Sequence, residues 1–150
     1  MSVSLPVRVY YEDTDASGVV YHAAYLRYFE RARTEWLRAL GGSHRDLLAH
    51  FGVAFTVATI TVDYLRPARL DDALCVVVDV EKVRRASLEF VESIHPQAGE
   101  AVLARARVRI ACVDVARFRP CGLPDALRER LSAPASLSHS TAVAVERSSS

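Results

Sequence analysis

Apolar and polar side chains alternate along the first residues of the chain. The apolar positions are Val3, Leu5, Val7, Val9 and Tyr11. Alternation with a period of two predicts a strand over residues 3–11, and Pro6 is typical of a strand start or a sheet edge. A short polar loop over residues 12–18 follows this strand.

The period then changes to that of a helix. The apolar residues Tyr25, Phe29, Ala32, Trp36 and Leu40 follow one another at steps of three or four. This spacing predicts an amphipathic helix over about residues 22–40. The two glycines that follow it, at positions 41 and 42, are expected to end the helix. Ser43 and Asp46 form a capping-box pattern, which predicts a short second helix ending near Gly52.

Residues after Gly52 lack the helical period and are rich in β-branched side chains. The predicted strands are Val53–Leu65, Leu74–Val83, Ser87–His95 and Val102–Val115. Because their connections are short and polar, we expect these strands to form an antiparallel meander, since a parallel crossover needs a dozen or more residues. Pro124 is predicted to open a last short helix over residues 125–131 as its first-turn residue.

One long helix among five strands predicts an α+β fold, in which a five-stranded antiparallel sheet wraps around helix 22–40. Such a sheet leaves a long edge unpaired. A second copy can cover this edge, so we expect a homodimer or a homotetramer. Residues 1–131 are predicted to form this single domain, and the Ser- and Ala-rich residues 132–150 a disordered C-terminal tail.

Composition narrows the class of protein. The chain has 150 residues, of which 51% are hydrophobic and 25% charged, as in a soluble globular domain. A formal net charge of +1 argues against a nucleic-acid partner, and no apolar run is long enough to predict a membrane span. Three cysteines without CxxC spacing, and no visible signal peptide, favour a reducing cytoplasm. The histidines show no metal-ligand spacing with the cysteines, so no metal site is predicted.

The residues that can carry chemistry are concentrated between Tyr11 and Tyr25. Two acids, Asp13 and Asp15, lie in a loop that follows a strand, and Gly18 and a helix N-terminus come soon after. A carboxylate at such a place can act as a nucleophile or as a general base. The unpaired amides of a helix start can stabilise a developing oxyanion. The segment therefore predicts an active site with both functions a few residues apart.

Three other interpretations of this loop are open on these residues alone. The pattern from Asp13 to Val20 matches the first half of a calcium-binding EF-hand loop, although Ala24 stands where a bidentate Glu is required. Asp13 and Asp15 after an apolar strand also resemble the start of a haloacid-dehalogenase-type phosphatase, whose parallel sheet disagrees with the predicted meander. Both acids can also be turn and capping residues without a chemical role.

The run Asp-Thr-Asp-Ala-Ser-Gly-Val-Val-Tyr-His-Ala-Ala-Tyr, residues 13–25, resembles the signature of the hot-dog-fold acyl-CoA thioesterases. Within them it most resembles the branch associated with the bacterial Tol-Pal cell-envelope system, a sister to the 4-hydroxybenzoyl-CoA thioesterases. Residues 62–68 and 85–90 continue the similarity, which extends over residues 5–131. The resemblance implies a hot-dog fold, in agreement with the sheet around a helix that the periods predict.

The resemblance also implies roles for individual residues. Asp15 matches the catalytic carboxylate, as nucleophile or as base for water, and His22 and Tyr11 match active-site residues of the Tol-Pal branch. The backbone amides of Tyr21 and His22 are expected to hold the oxyanion. The substrate-binding residues that we expect are Gly18, Thr59, Arg85 and Ser87. The last two match the nucleotide-contacting turn of the family, and Thr59 belongs to a strand of a second copy that is expected to complete the pocket.

The sequence thus predicts a cytoplasmic, homo-oligomeric acyl-CoA thioesterase that releases a free acid and coenzyme A without a metal or another cofactor. Acyl carrier protein is a further candidate partner. The alternative is a non-catalytic hot-dog protein that binds acyl groups or acyl carrier protein and is linked to the cell envelope. The spacing of Asp15, Gly18 and His22 disfavours this alternative, because a binding protein needs no carboxylate there. His22 stands where the 4-hydroxybenzoyl branch has an aromatic residue, which favours aliphatic or mixed acyl groups.

Overall fold

The structure is a computed structural model that describes residues 2–132. Its strands are β1 (Ser2–Arg8), β2 (Val53–Tyr64), β3 (Ala73–Val83), β4 (Ser87–Pro96), β5 (Ala104–Asp114) and β6 (Arg119–Pro120). Its helices are α1 (Ala24–Ala39), α2 (His44–Phe51) and α3 (Asp125–Leu131). The predicted α+β class with one long helix is confirmed.

Two details of the strands differ from the prediction. β1 stops at Arg8 and not at residue 11, because the chain forms a 3-10 turn at Tyr11–Asp13. The two-residue strand β6 was not predicted, since so short a segment carries no periodic signal. Of the predicted C-terminal tail, residues 133–150 lie outside the described residues.

Neighbouring strands of the sheet are antiparallel and follow the order β1–β3–β4–β5–β2, with β6 beside the end of β5. The predicted meander is therefore wrong for β2, which pairs with β5 and not with β3. The segment 65–72 crosses the start of α1 instead: Val20 N–H donates to Ala68 O (2.8 Å), and Ala68 N–H donates to Tyr25 Oη (3.1 Å). Consecutive strands pair only as a tendency, and alternation identifies a strand's buried face without identifying its neighbour.

The core lies between α1 and the buried face of the sheet. The large side chains of the α1 stripe are fully buried, namely Tyr28, Phe29, Trp36 and Leu37. The Trp36 ring meets Phe90 of β4 edge-on, with ring centroids 4.9 Å apart. Burial of each such side chain contributes about 2 kcal/mol relative to exposure in water. On β5, Arg105 and Arg107 point away from this core, as the alternation predicts.

Capping residues mark the ends of the two short helices. Ser43 Oγ accepts a hydrogen bond from Asp46 N–H (3.0 Å), and Gly52 ends α2 with a left-handed φ of +64°. These two predictions are confirmed. Pro124 has a ψ of 140° and is the N-cap residue of α3, so its prediction as a first-turn residue is wrong by one position.

One ion pair is buried between the helix and the sheet. Arg33 Nη1 of α1 lies 2.7 Å from Glu92 Oε1 of β4, and both side chains are almost fully buried. The other carboxylate oxygen, Glu92 Oε2, is buried and has no hydrogen-bond partner within residues 2–132. Burial raises the pKa of Glu92 to about 7, although the Arg33 charge acts in the opposite direction. The pair fixes the position of α1 on the middle of β4.

β2 forms one free edge of the sheet and is exposed over most of its length. Its apolar residues Val57 and Ile60 are 46% and 37% exposed. An exposed apolar edge strand has unpaired backbone groups with which another chain can pair. No helix within residues 2–132 is long and apolar enough to cross a membrane.

Candidate active site

Asp13 holds the loop between β1 and α1 in place. It is 4% exposed, and its Oδ2 accepts a hydrogen bond from Tyr10 N–H (2.9 Å). Its Oδ1 lies 3.7 Å from Arg27 Nη2, and its carbonyl accepts a hydrogen bond from Tyr21 N–H (2.8 Å). Asp13 is therefore a turn and capping residue, and its carboxylate is not available to a substrate.

Asp15 has the opposite environment, because it lies exposed at the tip of the same loop. Ser17 donates two hydrogen bonds to Asp15 Oδ1, from its backbone N–H (2.8 Å) and from its hydroxyl (2.5 Å). These bonds lower the pKa of Asp15, so the carboxylate is ionised at neutral pH. Its other oxygen, Oδ2, accepts no hydrogen bond within residues 2–132. Gly18 closes the loop with a φ of +81° and donates its N–H to Asp15 O (3.1 Å).

The start of α1 offers backbone N–H groups close to Asp15. A short antiparallel bridge aligns residues 13–15 with residues 19–21. The N–H of Tyr21 is occupied by a carbonyl of this ladder (2.8 Å), which disagrees with the prediction that it holds an oxyanion. Within the described part of the chain, the N–H groups of His22 and Ala23 have no acceptor. Of the two amides that were predicted to hold the oxyanion, the His22 N–H is therefore still available. The Ala23 N–H beside it is a further candidate donor.

Tyr64, at the end of β2, holds the start of α1 in place through a hydrogen bond and ring contacts. It was not predicted as a site residue. Its hydroxyl donates to His22 O (2.8 Å), and its ring lies edge-on to the rings of His22 and Tyr25, with centroid distances of 6.4 and 5.2 Å. An open cleft of about 260 Å³ is lined by Val20, His22, Tyr25, Tyr64, Leu65, Arg66 and Pro67. The His22 side chain is exposed. Tyr64 lies within residues 62–68, which carry part of the family resemblance, but the sequence did not indicate its contact with His22.

Known proteins of similar sequence identify the family of this chain. Residues 9–131 match the family model described as the Thioesterase-like superfamily. The chain belongs to this family. It is 47% identical over 121 residues to the acyl-CoA thioesterase YbgC of Haemophilus influenzae, with 81% of this chain and 88% of that protein covered. It is 48% identical over 122 residues to the acyl-CoA thioester hydrolase YbgC of Escherichia coli, with 81% and 90% covered.

A solved structure agrees with this assignment. The crystal structure of a probable thioesterase from Bartonella henselae is similar to this chain with a TM-score of 0.78 and 34% sequence identity, covering 83% of this chain and 100% of that one. The hot-dog fold is thereby confirmed, and the protein is a thioester hydrolase. The phosphatase interpretation is wrong because the sheet is antiparallel. The EF-hand interpretation is wrong because the Asp13 carboxylate accepts a hydrogen bond from Tyr10 N–H and is not available to a calcium ion. Within residues 2–132, no three His, Cys, Asp or Glu side chains are grouped to hold a metal ion.

The fold of this thioesterase chain does not bring all predicted site residues together. Just before β3, Arg69 bridges to Val19 in the Asp15 loop, whereas Arg85 and Ser87 lie at the turn that follows β3. The eleven residues of β3 separate the two places by roughly 35 Å in one chain. Thr59 lies near the middle of the exposed strand β2.

Proposed function

We propose that this protein hydrolyses the thioester of an acyl-CoA to a free acid and coenzyme A, with Asp15 as the catalytic carboxylate and the His22 amide as the oxyanion donor. One observation carries the proposal: a single hydrogen-bonded loop holds an exposed, ionised carboxylate and unoccupied N–H groups. The names of the relatives at 47% and 48% identity support the substrate class.

The spacing of the two groups suits a thioester carbonyl. In the ladder Asp15 stands opposite Val19, three positions before His22. Three strand positions correspond to roughly 10 Å along the chain. The proposed reaction requires a carbonyl carbon ~3 Å from the carboxylate and a carbonyl oxygen ~3 Å from the amide, so the thioester would be bound between the two groups.

The reaction begins at the carbonyl carbon of the thioester. Asp15 Oδ2 either adds to this carbon as a nucleophile or removes a proton from an attacking water molecule. Negative charge then develops on the carbonyl oxygen, where the His22 N–H and the positive end of α1 stabilise it. Collapse of the tetrahedral intermediate breaks the C–S bond and releases coenzyme A as a thiolate. In the nucleophilic route, water then hydrolyses the anhydride and regenerates Asp15.

We also include the His22 ring and Tyr11 in the site. Tyr11 is 83% exposed, and its carbonyl accepts a hydrogen bond from Thr14 Oγ1 (2.8 Å), so its backbone is held in the loop while its ring faces solvent. A ring in this place can cover a bound acyl-pantetheine arm. Tyr64 acts through the His22 backbone and is a positioning residue.

A homo-oligomer with shared active sites is part of the same proposal. If two β2 edges pair antiparallel about a two-fold axis, Tyr64 of one copy approaches Val53 of the other. By strand register, Val53 pairs with Asp114 at the sheet end where Ser87 pairs with Ala111. A second copy then brings its Arg85–Ser87 turn to the end where the first copy has Asp15. Thr59 of the second copy lines the junction, which supports its predicted contact with substrate.

The proposal extends to location and to a second acyl donor. No disulfide joins two cysteines within residues 2–132, which supports a reducing cytoplasm. Acyl carrier protein presents its acyl thioester on the same phosphopantetheine arm as coenzyme A, and the proposed chemistry acts on either donor.

A panel of thioesters tests the proposed activity. Straight-chain aliphatic and hydroxybenzoyl esters of coenzyme A, together with acyl carrier protein loaded with the same groups, are incubated with the purified chain. Release of thiol is followed with a thiol-reactive dye and corrected for the protein's own three cysteines. We expect catalytic turnover of at least one ester. Tight binding of the esters without release of thiol would contradict hydrolysis and support the non-catalytic binding protein.

A further inference from the structure

Two cysteines outside the proposed active site face each other across the β5–β6 hairpin. Val113 pairs with Pro120, so the next pair of this antiparallel register is Cys112 opposite Cys121. Cys121 N–H donates to Cys112 O (2.9 Å), and the two Sγ atoms are 3.7 Å apart. Cys112 is buried and Cys121 is partly exposed. The third cysteine, Cys75, lies near the start of β3, at the other end of the sheet.

The geometry allows the two sulfurs to form a bond after a small movement. A disulfide has an S–S distance of about 2.05 Å, so the sulfurs must approach by about 1.7 Å from their present separation. Residues that face each other on antiparallel strands have Cβ atoms about 4.5–5.5 Å apart, near the range that disulfides use. Cys121 directly follows β6, whose two residues are exposed, and is itself only partly buried, so the movement falls on the more exposed side of the pair.

We propose that Cys112 and Cys121 are a redox-active dithiol that a hydroperoxide converts reversibly into a disulfide. The Cys121 thiolate, the sulfur nearer to solvent, attacks one peroxide oxygen and becomes a sulfenic acid. The O–O bond breaks, and the other oxygen leaves as hydroxide, which becomes water with the proton that the Cys121 thiol had released. The Cys112 thiol then attacks the Cys121 sulfur; the S–S bond forms, the S–O bond breaks, and the hydroxyl leaves as water with the thiol proton. In total, two thiols are oxidised and one hydrogen peroxide is reduced to two waters.

The order of the two steps follows from the environments of the two sulfurs. Burial and the neighbouring Cys121 raise the pKa of Cys112 to about 12, so Cys112 forms little thiolate. Cys112 is therefore the resolving residue. Because the resolving thiol lies 3.7 Å from the reacting sulfur, we expect disulfide formation to compete with further oxidation of the sulfenic acid.

The disulfide would restrict the movement of a segment that is hydrogen-bonded to the predicted nucleotide-binding turn. Cys112 N–H donates to Ala86 O (2.9 Å), and Leu123 N–H, two residues after Cys121, donates to Arg85 O (2.8 Å). This consequence for coenzyme A binding rests on the proposed function. The dithiol chemistry itself does not, since it involves neither Asp15 nor a thioester.

The test measures thiols and not activity. The reduced full-length chain is treated with hydrogen peroxide, alkylated, and analysed by intact-mass and peptide mass spectrometry. For the wild type and for Cys75→Ser, we expect a loss of two thiols, a cross-link between the peptides of Cys112 and Cys121, and full recovery with dithiothreitol. Cys121→Ser should keep its remaining thiols under the same treatment. In Cys112→Ala, a sulfenic-acid probe should label Cys121.

Other outcomes would overturn the proposal. Oxidation of Cys75 as fast as Cys121, cross-links only between different chains, or accumulation of sulfinic acid at Cys121 in the wild type would show that the two sulfurs do not act as a pair. The Cys121→Ser variant keeps the test valid if a substitution at the buried Cys112 prevents folding, because Cys121 lies at a partly exposed position. Loss of thioesterase activity on peroxide treatment is not required.

Discussion

Asp13 and Asp15 are two positions apart in the chain and have opposite chemical environments. The carboxylate of Asp13 is buried against Tyr10 N–H and Arg27, and that of Asp15 is exposed with one oxygen unbonded. A buried, bonded carboxylate stabilises the loop, whereas an exposed, ionised one can react. The resemblance already implied catalysis by Asp15 rather than Asp13. The structure adds the reason why Asp13 has a different role: its carboxylate accepts a hydrogen bond from Tyr10 N–H and lies beside Arg27.

Asp15→Asn is expected to lower kcat by about 10²-fold or more, because an amide neither attacks the thioester nor accepts a proton from water. Glu12→Gln is the matched control, since Glu12 is an exposed acid in the same loop and should retain activity. Asp13→Asn should act mainly on the melting temperature. An active Asp15→Asn variant beside an inactive but folded Asp13→Asn variant would assign catalysis to the other acid.

Ser17→Ala is expected to shift the acid limb of the pH–rate profile to higher pH. The Ser17 hydroxyl donates a hydrogen bond that favours the ionised form of Asp15 and lowers its pKa. Because hydrolysis needs the ionised carboxylate, removing the hydroxyl raises the pH below which kcat/KM falls. The backbone N–H bond of residue 17 remains, so the shift is partial. A profile that is unchanged or moves to lower pH would contradict the role of Ser17.

The helices of this protein could be predicted more fully than its strand order. The apolar period of α1 and the cap at Ser43 depend on residues within one or two turns, and both agree with the structure. The neighbour of β2 depends on a β5 strand that begins 40 residues after β2 ends, and short-range patterns carry no information about it. The same holds for Tyr64, whose contact with His22 joins positions 42 residues apart.

Tyr64→Phe tests whether this long-range contact positions the start of α1. The variant loses the hydrogen bond from the Tyr64 hydroxyl to His22 O and keeps the ring. Loss of about 1 kcal/mol from the alignment of the oxyanion amide corresponds to an approximately fivefold lower kcat. KM should change little, and the melting temperature should stay close to that of the wild type. An unchanged kcat would mean that the α1 start is positioned without Tyr64.

The contact between α1 and β4 predicts a pH dependence of stability. Burial raises the folded-state pKa of Glu92 from 4.5 to about 7, so the folded protein binds a proton there more tightly than the unfolded chain. The associated stabilisation is complete below pH 4.5 and is lost as the pH rises to about 7, by on the order of 3 kcal/mol.

Glu92→Gln isolates this contribution, because glutamine does not titrate. The unfolding free energy of the wild type relative to Glu92→Gln should fall between pH 4.5 and pH 7 in denaturant titrations, and stay level outside this interval. A difference that rises with pH over the same interval would show that the Arg33 charge outweighs the burial of Glu92.

A single chain does not bring all of the proposed site residues together, so under the proposed function it is an incomplete enzyme. The Asp15 loop and the Arg85–Ser87 turn lie at opposite ends of β3, and the strand β2 that could connect them to a second copy is exposed. The sequence predicted the free edge from the number of strands and helices. It also predicted that the strand Val53–Leu65 meets the second copy, and the order of the complete sheet places this strand, β2, at an edge. The pairing of two copies stays a prediction.

The most direct test of a site built from two copies mixes two inactive variants, Asp15→Asn and Thr59→Trp. In a mixed dimer, one site combines Asp15 from one chain with Thr59 from the other, and the second site carries both defects. Random exchange makes half of the dimers mixed, and each mixed dimer has one working site of two, so we expect about one quarter of wild-type activity. Native mass spectrometry confirms the exchange, and size-exclusion chromatography confirms that both variants remain oligomeric. A mixture that exchanges subunits and stays inactive would contradict the shared site.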